Sequence, residues 1–216
     1  MDPAAIVFDL DGVLVDSEQV WDDVRRAVVA ERGGLWTDAA TAAMQGMSTP
    51  EWARHLTTLG AAGSPDELAA AVIAAMADRY RSHVPLLPGA VEAVTALSEW
   101  WPLGVASSSP PELIGVVLAA AGLTARFRVT VSSEEVPRGK PAPDVYLAAA
   151  KKLGAEPAMC VAVEDSANGL RAAAAAGTVL VAVPNPHFPP PPDALALAKA
   201  TVRTPAGLTP ELIRAL

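Results

Sequence analysis

Short β-branched runs alternate with segments of helical periodicity along most of this 216-residue chain, and that alternation narrows the fold more than any other feature. The runs are "AAIVFDL", "PLGVASSS", "FRVTVSS", "AMCVAVEDS" and "TVLVAVPNP". Between several of them lie "PPELIGVVLAAAGL", "APDVYLAAAKKLG" and "SANGLRAAAAAG", whose apolar residues recur at helical spacing. Strand then helix, repeated, builds a mainly parallel sheet with helices on both faces, so the predicted class is α/β with a three-layer core. Connections of this kind are right-handed, and ligands collect beyond the carboxyl ends of the strands. End signals agree: Pro110 and Pro111 suit a first helical turn, Gly122 and Gly154 sit just past helix ends, and Ser166 can cap a helix.

One region breaks the pattern. From Asp16 to Pro85 the chain offers amphipathic segments and no strand: "DSEQVWDDVRRAVVAERGG", "TPEWARHLTTLG" and "SPDELAAAVIAAMADRYRSH", the last two opened by Ser or Thr, an early proline and acids. The expected organisation is an α/β core over 1–15 and 86–216 with a small all-helical cap domain, 16–85, inserted after the first strand. Val15–Ser17 and Ser82–Leu87 are the natural hinges, and "PNPHFPPPPD" reads as a stiff connector.

Composition removes several function classes. A net charge of −8 argues against a nucleic-acid surface, which needs clustered Lys and Arg, so any phosphate-bearing partner is expected to be small. The lone cysteine, Cys160, forms no internal disulfide and reads as a buried small hydrophobe, which suits a reducing compartment. No basic segment precedes the first apolar run, and no stretch approaches eighteen uninterrupted apolar residues. The expectation is a cytoplasmic protein with no membrane partner, acting as a monomer or weak dimer. His55, His83 and His187 show no ligand spacing.

The strand ends carry the chemistry. The first delivers Asp9 and Asp11; were the strand to continue through them, they would stand on one face and repel. Either Asp11 opens a D-G turn while Asp9 caps a neighbour, or a cation relieves the pair. The second strand ends in Ser107, Ser108 and Ser109, "VPRGKPAPD" sets Lys140 near a helix start, and "AMCVAVEDS" ends in Glu164, Asp165 and Ser166. Each alone has a bland reading: a loop, a solvated lysine, a capping acid. Together, at successive ends of one sheet, they describe a single site. Asp9, Asp11 and Asp165 offer oxygen to a hard cation such as Mg2+, Ser107 and the following N–H groups can bind phosphate, and Lys140 balances charge.

In this order "DLDGVLVDSE", "ASSS", "GKPAPD" and "VEDSANG" resemble the four motifs of the haloacid dehalogenase-like superfamily, and the helical insert resembles the small cap of its subfamily I. The resemblance implies a Rossmann-like core and a Mg2+-dependent phosphatase acting on a small phosphate monoester, a sugar or polyol phosphate, through an aspartyl-phosphate. It makes Asp9 the nucleophile, Asp11 the general acid and base, and Ser107, Ser108 and Lys140 phosphate ligands. It also gives the metal to Asp9, Asp165, Glu164 directly or through water, and the Asp11 main-chain carbonyl. An acid two residues after the nucleophile separates the family's phosphatases and phosphomutases from its dehalogenases.

The cap is expected to set the substrate. Family β-phosphoglucomutases usually carry a histidine where this chain has Trp21, which weakens that alternative. "VDSEQVWDD" looks more like the sugar-phosphate phosphatases, although Gln19 replaces a common proline. Gln45 and Ser48, in "QGMSTPEW", are candidates to bind a polyol, and Trp21 or Trp52 to pack on a sugar face; packing within the cap is the other use of those rings. A phospho-receiver signalling module also joins an aspartate, Mg2+ and a lysine, but its acceptor lies mid-chain and it needs no cap.

Overall fold

A computed structural model of the chain describes residues 2–44, 47–186 and 189–216. The strands are β1 (Ala5–Phe8), β2 (Leu103–Ser107), β3 (Phe127–Ser132), β4 (Cys160–Glu164), β5 (Val179–Ala182) and β6 (Ala200–Thr201). Helices α1 (Glu18–Glu31), α2 (Asp38–Met44), α3 (Thr49–Thr58) and α4 (Pro65–Ser82) follow β1, and α5 (Ala90–Ser98) leads into β2. Helices α6 (Pro111–Ala120), α7 (Asp144–Leu153) and α8 (Ala167–Ala175) join the later strands, with α9 (Pro192–Leu195) and α10 (Pro210–Ala215) near the end.

The sheet order is β3-β2-β1-β4-β5-β6 and every pairing is parallel. Each residue of β1, β2 and β4 is buried, as expected of strands covered on both faces. Alternation sorts their side chains. Val7, Ala106 and Ala162 join a cluster with Tyr146 of α7 and Leu170 of α8, whereas Ile6, Phe8 and Val105 join Leu97 of α5 and Leu113 of α6. The three-layer α/β prediction holds.

From β1 the chain moves toward β2, and from β4 it moves toward β5, so the connections diverge on either side of the β1–β4 pair. That divergence opens a crevice at the carboxyl ends of these two strands, the usual ligand position in open α/β sheets.

Two local features differ from expectation. The first strand stops at Phe8, although the Asp9 N–H still donates to the Val163 carbonyl at 2.9 Å. Gly12, at φ 74°, then lets the chain fold back, with the Gly12 N–H donating to Val15 and the Leu14 N–H to Leu10, each at 2.8 Å. Asp9 thus lies just past the strand and Asp11, beyond a bend at Leu10, opens the turn, so the two are not aligned on one strand face. In addition, β6, α2, α9 and α10 are too short for a periodic signal to distinguish them from loop.

Helices α1 to α4 pack on one another, and α4 also packs against α6. The chain leaves and re-enters the sheet as two paired segments: the Asp16 N–H donates to Pro85 at 2.8 Å, the Leu87 N–H to Leu14 at 2.9 Å, and Val15 bridges Leu86. Among the described residues no helix is long and apolar enough to cross a membrane.

Candidate active site

The crevice at the ends of β1 and β4 holds a buried lysine among carboxylates. Lys140 Nζ lies 3.0 Å from Asp9 Oδ1 and donates to Glu164 Oε1 at 2.6 Å. Burial works against the ammonium, but the Asp9 and Glu164 carboxylates outweigh it and hold its pKa above the ordinary lysine value. Its side chain comes from the loop ahead of α7, four residues before the first helical residue, Asp144.

Glu164 is anchored on every side. Oε1 also accepts from the Tyr146 hydroxyl at 2.7 Å, and Oε2 accepts from the N–H groups of Asp165 and Ser166 at 3.1 and 3.3 Å and from the Ser166 hydroxyl at 3.2 Å. With its oxygens so occupied, Glu164 positions Lys140. Sequence reading missed Tyr146, whose only sign is its place on the buried face of α7.

Two glycines make room for these acids. A Cβ on Gly169 would stand 1.8 Å from Glu164 Oε1, and one on Gly12 would stand 1.9 Å from Asp165 Oδ2. Both distances are impossible, so the glycines of "DLDG" and "EDSANG" are required by the carboxylates that they face. Gly12 therefore serves the turn and the close approach together.

Asp9, Glu164 and Asp165 place one carboxylate oxygen each within 4.8 Å of the others. Burial first, then the Glu164 charge, pushes the Asp9 and Asp165 carboxyls well above the usual range. A single lysine does not balance this cluster. An all-oxygen, acid-rich, buried donor set fits a hard divalent cation, and the Asp11 carbonyl accepts no backbone hydrogen bond among the described residues.

The Asp11 side chain stands apart from that cluster. Its Oδ2 accepts from the Ser109 hydroxyl at 2.6 Å, and its Oδ1 accepts from the Trp21 indole N–H at 3.3 Å. A serine from the end of β2 and a tryptophan from α1 thus aim it into the cavity. Ser109 was visible only as part of a serine run.

The remaining predicted residues fall unequally. Ser107 is fully buried, and its Oγ accepts from the Ser109 N–H at 3.0 Å, which leaves its own proton to donate. Ser108 lines a cavity of about 330 Å³ together with Asp9, Asp11, Lys140 and Asp165. Ser48 is occupied elsewhere: its N–H and hydroxyl both donate to Glu51 Oε2, at 2.8 and 2.6 Å, as the N-cap of α3. Ser48 also lines a cavity with Ser108 and Lys140, so the cap bond and the expected polyol contact draw on the same hydroxyl. Trp52 is buried and tilts against Trp21, ring centres 6.1 Å apart, and the Arg25 guanidinium already covers the Trp21 ring at 4.7 Å. The two rings thus pack between helices while both also line the cavity beside Asp11, where the sugar-stacking expectation places them. Gln45 and His187 lie outside the described residues.

The haloacid dehalogenase-like hydrolase family model matches residues 3–177. The chain belongs to the haloacid dehalogenase-like hydrolases. Its relatives in that family include hexitol phosphatase B of Escherichia coli, 36% identical over 85% of this chain and 84% of the relative. Fructose-1-phosphate phosphatase YqaB of the same species is 32% identical over 81% of this chain and 93% of its own length. A solved β-phosphoglucomutase from Clostridium difficile has the same fold, with a TM-score of 0.80 and 22% identity over 99% of this chain and 96% of that one. Membership in these hydrolases removes the phospho-receiver reading.

Proposed function

We propose that this hydrolase is a Mg2+-dependent phosphatase of small phosphate monoesters, sugar or polyol phosphates, working through an aspartyl-phosphate on Asp9. The observation that carries the reading is the placement of Asp9 at the β1–β4 crevice, 3.0 Å from a buried lysine, with Asp11 held in the same cavity by separate donors.

Mg2+ held by Asp9, Asp165 and the Asp11 carbonyl, with Glu164 behind a water, would neutralise the carboxylates and the incoming phosphate and so permit attack by an anion. Lys140 adds the fixed positive charge, and Glu164 and Tyr146 keep it in place. Ser107 donates its remaining proton, and Ser108 borders the cavity in which the phosphoryl group sits. Asp9 attacks phosphorus as the bond to the ester oxygen breaks, and Asp11 passes its proton to the departing alkoxide. Water then attacks the phosphorus of the acyl phosphate and gives its proton to Asp11, releasing inorganic phosphate. The Ser109 hydroxyl both donates and accepts, so it can hold Asp11 in either protonation state. Helices α1 to α4, spanning the proposed cap domain 16–85, cover the cavity and limit the entry of water.

The test is phosphate release from a panel of sugar and polyol phosphates with Mg2+. Asp9→Asn is expected to lower kcat by about 10⁴-fold or more, as for loss of a covalent nucleophile. Release that survives this change sinks the aspartyl-phosphate. Interconversion of hexose 1- and 6-phosphates with little release replaces the phosphatase with a mutase.

A further inference from the structure

Arg25, on α1, is a cation with acids in its neighbourhood and none bonded to it among the described residues. Its Nε is buried and forms no hydrogen bond, and among the described residues it makes no ion pair. Its guanidinium carbon lies 4.7 Å from the Trp21 ring centre and 5.0 Å from that of Trp52, so the planar group rests on aromatic faces that attract it without satisfying its donors. Burial lowers its pKa to about 10, with Glu18 and Asp11 opposing the shift, and it remains charged at neutral pH.

A buried donor such as Arg25 Nε is kept unpaired at a cost, and a cavity beside it is where an acceptor can come from. Arg25 lines a cavity of about 120 Å³ that it shares with Asp11, Glu18, Thr49 and Ser108. Asp11 and Ser108 also border the larger cavity of Asp9 and Lys140, so a molecule with its phosphate at Asp9 can extend toward Arg25. The acceptor must suit what surrounds the guanidinium. Glu18 and Asp11 lie on the same walls and Asp22 on the same helix, and all three act on Arg25 electrostatically. A second phosphate or a carboxylate would meet those acids and be repelled. A hydroxyl would not: it accepts from Arg25 and donates to a neighbouring carboxylate at once.

We propose that Arg25 is the specificity-determining donor for the neutral hydroxyls of the substrate, so that the pocket selects monophosphates of polyols and sugars over bisphosphates and phosphorylated acids. This rests on the phosphatase reading above and narrows its substrate class.

The experiment compares kcat/KM for sorbitol 6-phosphate with kcat/KM for ethyl phosphate, which has an alkyl leaving group and no hydroxyls, in wild type and Arg25→Met. The ratio is expected to fall tenfold or more in the variant, chiefly through KM for the hexitol ester. An equal fall for both esters overturns the proposal, because it makes Arg25 structural. A wild-type preference for fructose 1,6-bisphosphate over fructose 6-phosphate, or for 6-phosphogluconate over sorbitol 6-phosphate, also overturns it. Arg25→Gln, which keeps an N–H donor without the charge, is measured in the same way should the methionine variant not fold. Wild type that releases phosphate from none of these esters, ethyl phosphate included, overturns the phosphatase reading and this inference with it; turnover of ethyl phosphate with an unchanged ratio overturns the inference alone.

Discussion

At the ends of β1 and β4 a buried lysine meets carboxylates at 3.0 and 2.6 Å, whereas on α1 a half-buried guanidinium lies against indole rings and forms no ion pair among the described residues. Both are cations withdrawn from water, Lys140 almost wholly and Arg25 in part, and they are compensated differently. Lys140 is held by charge and hydrogen bonds from residues that are themselves fixed by β4, Tyr146 and Gly169. Arg25 is held by shape and polarisable faces, with donors left over. The first arrangement is complete as a structure; the second is complete only when something else supplies acceptors. On the proposed reading, chemistry common to phosphate esters falls where side chains are fully hydrogen-bonded, and discrimination among them where the protein's own hydrogen bonding is unfinished.

The strongest way to break that contrast is to remove each cation in turn. Lys140→Met strands Asp9 and Glu164 in the interior, and a buried pair broken from one side costs about 3–5 kcal/mol, so urea unfolding should show a loss of that size. Arg25→Met leaves no partner uncompensated by pairing, since none was paired, and its stability should change by less than about 1 kcal/mol. Similar losses for the two variants would erase the distinction and make Arg25 as structural as Lys140.

The same contrast explains what could be read in advance. Asp9, Glu164 and Asp165 occur at strand ends, which a parallel sheet brings to one edge, and Lys140 follows in the loop between β3 and α7 at that same edge. The glycines beside them are equally local. Arg25 had a weaker signal: Trp21 four residues earlier on α1 is a helical neighbour, but only the placement of α3 adds the Trp52 ring beside the guanidinium. Trp21 shows the limit from the other direction. A sugar platform was the natural expectation for an aromatic residue near the cap hinge, yet its indole N–H is turned to Asp11 and one ring face lies under Arg25. Neither orientation follows from the residue type. Ser48 carries a second signal of its own, since a serine three residues before a glutamate is a capping pattern, and that bond to Glu51 is present.

Trp21→Phe separates orientation from binding on the helical side. The ring and its support of Arg25 remain, while the donor to Asp11 is removed. The bond is long at 3.3 Å and Ser109 still holds the other oxygen, so the effect should be modest. A fall in kcat of about tenfold or less is expected, the rate equivalent of roughly 1 kcal/mol, with KM for sorbitol 6-phosphate little changed. A rise in KM at constant kcat would instead show Trp21 touching the substrate, and the line drawn here between orienting and recognising residues would move.

Ser48→Ala gives the smallest effect and tests the edge of the recognition surface. Ser48 stands close in sequence to Thr49, which lines the Arg25 cavity, but its hydroxyl and N–H are both directed to Glu51 Oε2. That hydrogen bond also holds the Glu51 carboxyl below its ordinary pKa, as an accepted hydroxyl proton should. Loss of the hydroxyl should therefore cost stability of about 1 kcal/mol, typical of an N-cap change, and leave kcat/KM for sorbitol 6-phosphate within twofold. A selective loss on the hexitol ester, with ethyl phosphate unaffected, would mean that the cap opens to release Ser48 to the substrate. The recognition surface would then extend from Arg25 to the start of α3, and the unfinished hydrogen bonding that marks α1 would no longer be its sole signature.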